Sequence, residues 1–201
     1  MNLSVYFVTP DGADDELILQ AIRGGVSMIQ LRDKSVSDAE MIAQVRRLLP
    51  AMQKTGVPLV INDRIDVALA TGAQGVHIGQ SDGDVAQIRK TIGPDLLLGL
   101  SIETAIQLAQ MPAKDVDYIG AGPVRQTASK PDHAAPIGFE GLATIVRKSP
   151  LPTVAIGGLT GADIPLLKEV GCVGLAVVSA ISGAPDSSAA ARDLRQKWGA
   201  A

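Results

Sequence analysis

Aromatic residues are nearly absent from this 201-residue chain: one Trp, two Tyr and two Phe make up 2% of it. With 46% hydrophobic residues overall, the core must be built from Val, Ile, Leu and Ala. A single cysteine, Cys172, excludes a disulfide framework. Basic residues are not in excess. The formal net charge of −3 argues against a general nucleic-acid or anionic-membrane surface and confines anion recognition to a local site. No apolar run reaches the length of a membrane span, and the opening residues lack a basic-then-apolar leader pattern. A cytoplasmic protein with neither nucleic-acid nor membrane partner is expected, and a homo-oligomer stays open. A Ser–His–Asp set, Cys–His zinc spacing and a Walker-type loop are also missing. Gly120-Ala121-Gly122 lacks the third glycine of a dinucleotide fingerprint, which disfavours a nicotinamide cofactor.

What is present is an alternation. Short apolar runs at 3–8, 26–31, 57–61, 75–78, 96–100, 117–120, 153–156 and 173–178 read as strands. Between them lie segments of helical period: Leu17, Ile18, Ala21 and Ile22; then Ile42, Val45, Leu49 and Met52; then Val85, Ile88 and Ile92. Ser37 and Glu40 form a capping box for the second helix. Pro165 is tolerated in the first turn of its helix, and a last helix is expected over 187–198. Eight βα units of roughly 25 residues predict a parallel (β/α)8 TIM barrel, a single catalytic domain over 1–201, near the short end of the size range. An open doubly wound sheet is the competing architecture. The stretch 122–138 is too long to be a mere connector.

In such barrels the active site lies at the C-terminal ends of the strands, and polar residues recur there: Gln30, Arg32 and Lys34; Asn62 and Asp63; Gln80 and Asp82; Ser101; Thr127, Ser129 and Lys130; Gly157 and Gly158; Ser179. Asp63 and Asp82 follow successive strands, so parallel neighbours would project both from one rim. Two hard oxygen ligands there suit a Mg²⁺ that also holds substrate phosphates. They could equally be helix N-caps or partners of Arg64, which itself reads as a structural residue orienting Asp63 or pairing with Asp66. Arg32 and Lys34 alternate on an extended segment and, with Lys130, could neutralise a diphosphate; a solvated run is the alternative. Gly157-Gly158 before a helix start near Gly161 suits an anion or simply a tight turn, and Val178-Ser179 would complete a phosphate cup. His77 reads as a hydrogen-bonded core histidine, His133 as a solvated loop residue and Cys172 as a small buried one.

These residues sit in longer motifs: QLRDK at 30–34, NDRIDVAL at 62–69, GVHIGQSD at 75–82, GLS at 99–101, DYIGAGPVRQTASK at 117–130, AIGG at 155–158 and VSAI at 178–181. In this order, and across essentially the whole chain, they resemble the thiamine phosphate synthase (thiamine-phosphate pyrophosphorylase) family. The resemblance implies a TIM-barrel transferase that joins a pyrimidine diphosphate to a thiazole phosphate, giving thiamine monophosphate and pyrophosphate. Carried over by position, it implies that Gln30, Arg32, Lys34, Asn62, Ser101 and Lys130 hold the pyrimidine diphosphate, with Arg32, Lys34, Ser101 and Lys130 as the catalytic set. Thr127, Ser129, Gly158, Val178 and Ser179 would hold the thiazole phosphate, and Asp63 and Asp82 the Mg²⁺. Ser129 stands where many members have Thr, with the hydroxyl retained; 132–138 departs further from the family pattern. The loop over 122–138 is expected to close over the site.

Three rivals predict different inventories. A thiazole tautomerase on the same barrel needs no diphosphate or metal site, yet Arg32, Lys34, Asp63, Asp82 and Lys130 occur together here. A phosphosugar isomerase or epimerase should show a paired acid and base at strand ends, and none is evident. A non-catalytic sensor of a thiamine intermediate would tolerate loss of the metal ligands.

Overall fold

Eight short strands pair in parallel and in chain order until the last meets the first, closing a barrel. The structure is a computed structural model that describes residues 1–127, 129 and 134–200. The strands are β1 (Val5–Val8), β2 (Met28–Leu31), β3 (Leu59–Asn62), β4 (Gly75–Ile78), β5 (Leu97–Ile102), β6 (Tyr118–Ala121), β7 (Thr153–Ile156) and β8 (Gly174–Val177). The helices between and after them are α1 (Asp15–Gly24), α2 (Asp38–Thr55), α3 (Ile65–Thr71), α4 (Val85–Ile92), α5 (Ala105–Gln110), α6 (Gly138–Lys148), α7 (Ile164–Glu169), α8 (Ser179–Ser182) and α9 (Ser187–Ala200). Closure of β1 on β8, in the register Phe7 to Val177, excludes the open doubly wound sheet. Among the described residues, no helix is long and apolar enough to cross a membrane.

Strand alternation sorts side chains into two cores. One set, including Phe7, Ile29, Ile61, Ile78, Leu100 and Ile119, faces the helix ring. The other, Leu3, Tyr6, Val8, Met28, Val60, Tyr118, Val154 and Ala176, fills the barrel interior. Helix starts are set by local chemistry. Ser37 and Glu40 form the expected capping box on α2, Asp84 caps α4, and Thr104 with Gln107 caps α5.

Three local expectations shift. The buried stripe of α2 is Met41, Val45, Leu48 and Met52, with Ile42 and Leu49 half-buried at its border. Both spacings fit one helical face, and Val45 and Met52 belong to each; the face that packs on the barrel is the one carrying Met41 and Leu48. β5 runs through Ile102, so Ser101 lies within the strand rather than after it. The eighth strand is followed at once by the four-residue α8, too short to carry a periodic signal. Cys172 is buried as expected, and burial pushes its thiol up to about 12, which makes it a packing residue rather than a nucleophile.

Candidate active site

The C-terminal ends of the strands surround one cavity of about 690 Å³. Gln30, Arg32, Lys34, Asn62, Asp63, Asp82, Ser101, Thr127, Ser129, Gly158, Val178 and Ser179 all line it. Residues scattered over 150 positions of sequence are thus brought to one space by the barrel's parallel register. Lys130 and His133 lie outside the described residues.

One wall is cationic and braced. Arg32 pairs with Asp11 at 3.0 Å, and the backbone N–H of Lys34 donates to the same Asp11 oxygen at 3.0 Å. Thr9 Oγ1 accepts the N–H of Arg32 and donates to its carbonyl, both at 2.9 Å. The Asp33 carboxylate accepts the N–H of Gly12 at 2.7 Å. The loops after β1 and β2 therefore hold each other, and the 32–34 segment is not a freely solvated run. Arg64 is structural, but it reaches neither Asp66 nor across to orient Asp63. Its guanidinium donates to the carbonyls of Asp33 and Val36, each at 2.8 Å, and pairs with Asp38 at 3.0 Å. It is drawn there because the loop after β2 turns its carbonyls towards β3, and a five-donor fork satisfies them together.

Asp63 has φ +51°, the left-handed conformation that non-glycine residues seldom adopt. Its N–H donates to the His77 carbonyl at 2.9 Å, continuing the β3–β4 ladder one step past the strand. Its Oδ2 accepts from Asn62 Nδ2 at 2.8 Å. Asp82 Oδ2 accepts the Gly79 N–H at 2.6 Å. Neither carboxylate caps a helix: Arg64 is the N-cap of α3, with no side-chain cap bond, and Asp84 caps α4. The cap alternative for both is thereby removed. Partial burial, then the charge of nearby Asp82, pushes the Asp63 carboxyl above its usual range, against the pull of Lys34, Arg64 and Arg32. An uncomfortable carboxylate, held in a strained backbone beside a second carboxylate, is the environment a divalent cation relieves. Among the described residues no third His, Cys, Asp or Glu joins them. Two carboxylates could hold a divalent cation whose remaining positions are filled by other oxygens.

The opposite wall is built from backbone. Gly157 and Gly158 have φ +99° and +66°, and a Cβ on Gly157 would sit 2.5 Å from the Pro123 side chain. The N–H groups of Val124 and Arg125 donate to the carbonyls of Ile156 and Gly157 at 2.9 and 3.0 Å, and Arg125 pairs with Asp163 at 2.7 Å. Ile137 and Gly138 bond back to Pro123 and Val124. The two stems of the long loop are therefore zipped together beside the glycines. The tight-turn reading and the anion-cup reading coincide: the turn is what brings Gly158, Val178 and Ser179 to one wall.

The floor includes Tyr6, which sequence patterns did not single out. Tyr6 lines the cavity, and its hydroxyl lies 2.8 Å from that of Tyr118. His77 is the hydrogen-bonded core histidine expected, with Nδ1 3.1 Å from Tyr118 OH and Nε2 3.0 Å from Ser101 Oγ. It also lines the cavity, as do Gln80 and Glu103. Gln80 Nε2 donates to the Ser101 carbonyl at 2.7 Å, tying the loop after β4 to β5. Burial pushes both phenols above their usual range, so both keep their protons. A tyrosine inside an apolar run looks like core, and its scarcity in this chain was the one available signal.

Comparison with known proteins bears on the whole chain. The sequence pattern of the family described as thiamine monophosphate synthase matches residues 5–181. A thiamine-phosphate synthase of Psychrobacter sp. (strain PRwf-1) is 47% identical over 200 residues, covering 96% of this chain and 93% of the relative. One of Roseiflexus sp. (strain RS-1) is 44% identical, covering 94% and 83%. Among solved structures, a thiamine phosphate pyrophosphorylase from Pyrococcus furiosus superposes with a TM-score of 0.90 at 32% identity, covering 98% of this chain and 96% of that one.

Proposed function

The chain belongs to the thiamine monophosphate synthase family, and from that premise we infer that it joins an aminopyrimidine bearing a CH₂–diphosphate arm to a thiazole phosphate. It is a transferase of thiamine biosynthesis. The thiazole nitrogen forms a bond to the pyrimidine methylene carbon, the carbon–oxygen bond to diphosphate breaks, and pyrophosphate leaves with the electron pair. The observation that carries the reading is the convergence of a cationic strip, a carboxylate pair whose Asp63 is strained, and a glycine-built cup on one cavity. A tautomerase of the thiazole alone would need only the cup.

The aminopyrimidine can ionise to a resonance-stabilised cation, because its amino group feeds electron density to the methylene carbon. The protein's tasks are then to stabilise departing charge and to align the two reactants. Arg32 and Lys34, with Lys130 by resemblance, face the diphosphate as fixed positive charge. Asp63 and Asp82 would hold a Mg²⁺, which supplies further positive charge to the leaving pyrophosphate. Gln30, Asn62 and Ser101 hold the pyrimidine end. Thr127, Ser129, Gly158, Val178 and Ser179 hold the thiazole phosphate so that its nitrogen lies in line with the carbon. A neutral thiazole nitrogen needs no base to attack, so no catalytic His or Cys is required. The long loop after β6, with its stems zipped, would exclude water that otherwise traps the cation. The substrates are small molecules, and a cytoplasmic location is in keeping with a lone buried thiol.

Asp63→Ala and Asp82→Ala should each reduce thiamine monophosphate formation at least a hundredfold at millimolar Mg²⁺ on the order-of-magnitude scale of a lost charge-stabilising group. Both should still melt cooperatively. Near-normal turnover by both variants at low Mg²⁺ would overturn the metal assignment.

A further inference from the structure

Five side chains from five strands form one hydrogen-bonded chain across the barrel interior. Gln30 Nε2 donates to Tyr6 OH at 2.8 Å, and Tyr6 OH lies 2.8 Å from Tyr118 OH. Tyr118 OH lies 3.1 Å from His77 Nδ1, and His77 Nε2 lies 3.0 Å from Ser101 Oγ. Gln30, Tyr6, Tyr118 and His77 are all buried. The backbone makes room for them: a Cβ on Gly99 would fall 2.3 Å from the Tyr118 ring and 2.4 Å from His77 Nδ1. Only glycine at that place on β5 lets the two rings lie over the strand.

Proton counting gives the chain a direction. Each phenol owns one proton. Gln30 supplies a proton to the Tyr6 oxygen, so Tyr6 donates its own to Tyr118. Tyr118 in turn donates to His77 Nδ1, which must be bare. His77 therefore carries its proton on Nε2 and donates it to Ser101 Oγ. With Gln30 Nε2 as the donor to Tyr6, reversing the Tyr6–Tyr118 bond leaves the Tyr6 proton without an acceptor in this chain, which desolvation penalises. Both ends of the chain line the cavity. Gln30, with Nε2 turned to Tyr6, presents Oε1 to the cavity as an acceptor; Ser101, accepting from His77, presents its own proton as a donor.

We propose that Tyr6, Tyr118 and His77 are positioning residues that set this polarity, and that the polarity selects an amino-substituted pyrimidine over its oxo counterpart. The amino N–H suits the acceptor end and a bare ring nitrogen the donor end; an oxo-pyrimidine offers an acceptor and a ring N–H, the reverse pattern. This rests on the reading of the cavity as a pyrimidine diphosphate site. It extends that reading to residues that touch no substrate phosphate.

Two measurements test it on the full chain. The chain has only two histidines, so a two-bond ¹H–¹⁵N spectrum of ¹⁵N-histidine protein, with His133→Gln to remove the second, reads the His77 tautomer directly. The neutral Nε2–H form is expected, and a mixture of tautomers in Tyr118→Phe. In steady-state kinetics, Tyr118→Phe and Tyr6→Phe should each raise KM for the aminopyrimidine diphosphate about tenfold, the worth of one net hydrogen bond, while KM for the thiazole phosphate holds. They should also narrow the preference over the oxo-pyrimidine diphosphate. An Nδ1–H or doubly protonated His77 in the parent protein overturns the polarity. Variants that lower melting temperature but leave KM and the amino-over-oxo preference unchanged overturn the positioning role. If the parent protein makes no thiamine monophosphate, the functional reading falls instead, and the spectrum, which needs no substrate, still decides the polarity.

Discussion

At the scale of single residues, Asp63 concentrates the conflict between stability and function. Its backbone is left-handed, and burial and Asp82 disfavour its charge. Because the folded state raises its pKa above the ordinary 3.8, protonation favours folding. The residue's contribution to stability is therefore lost as pH rises through the folded value. Asp63→Asn, which keeps the size and tolerates the same φ, should raise the melting temperature of the metal-free protein at pH 7 by about 1–2 °C for a chain of this length. The gain should shrink towards pH 4, and scanning calorimetry across that range checks it. Asp63 was legible because it breaks an apolar run in the sequence, although caps and ion pairs gave the same signal. Only the cap positions at Arg64 and Asp84 separated the alternatives. Tyr6 and Tyr118 were illegible because a buried hydroxyl in a strand leaves no trace in the hydrophobic pattern. Which oxygen it meets depends on strands distant in the chain.

At the scale of elements, the cationic strip depends on how loops lean on one another. The segment after β2 carries Arg32 and Lys34, and Arg64, at the start of α3, pins it through two carbonyls and Asp38. Arg64→Ala leaves those part-buried carbonyls without their donor, at a cost of about 1–3 kcal/mol. It should also raise KM for the pyrimidine diphosphate several-fold more than KM for the thiazole phosphate, because the opposite wall is untouched. Denaturant unfolding and two-substrate kinetics check the two halves. Strands were found by their apolar runs: β4 and β7 match theirs end to end, and the ends of the others moved by at most two residues. A run such as 26–31 includes buried residues that precede the ladder, which begins at Met28. Ser101 fell outside the predicted strand because polarity was read as an ending. In a barrel interior, a strand carries polar side chains inward wherever the cavity begins.

At the scale of the whole molecule, eight alternating units were enough to read a barrel. Parallel strands joined by single helices place every C-terminal end on one rim. The same regularity explains why twelve candidate residues could be named in advance and share one cavity. What each does there follows from chemistry rather than position, and the chemistry makes one claim above the rest: two substrates meet in this space and pyrophosphate leaves. Purified protein incubated with Mg²⁺, the aminopyrimidine diphosphate and the thiazole phosphate should release thiamine monophosphate and pyrophosphate in equal amounts. Omitting either substrate should abolish both products. Pyrophosphate without thiamine monophosphate, or no product from the complete mixture, would contradict the account.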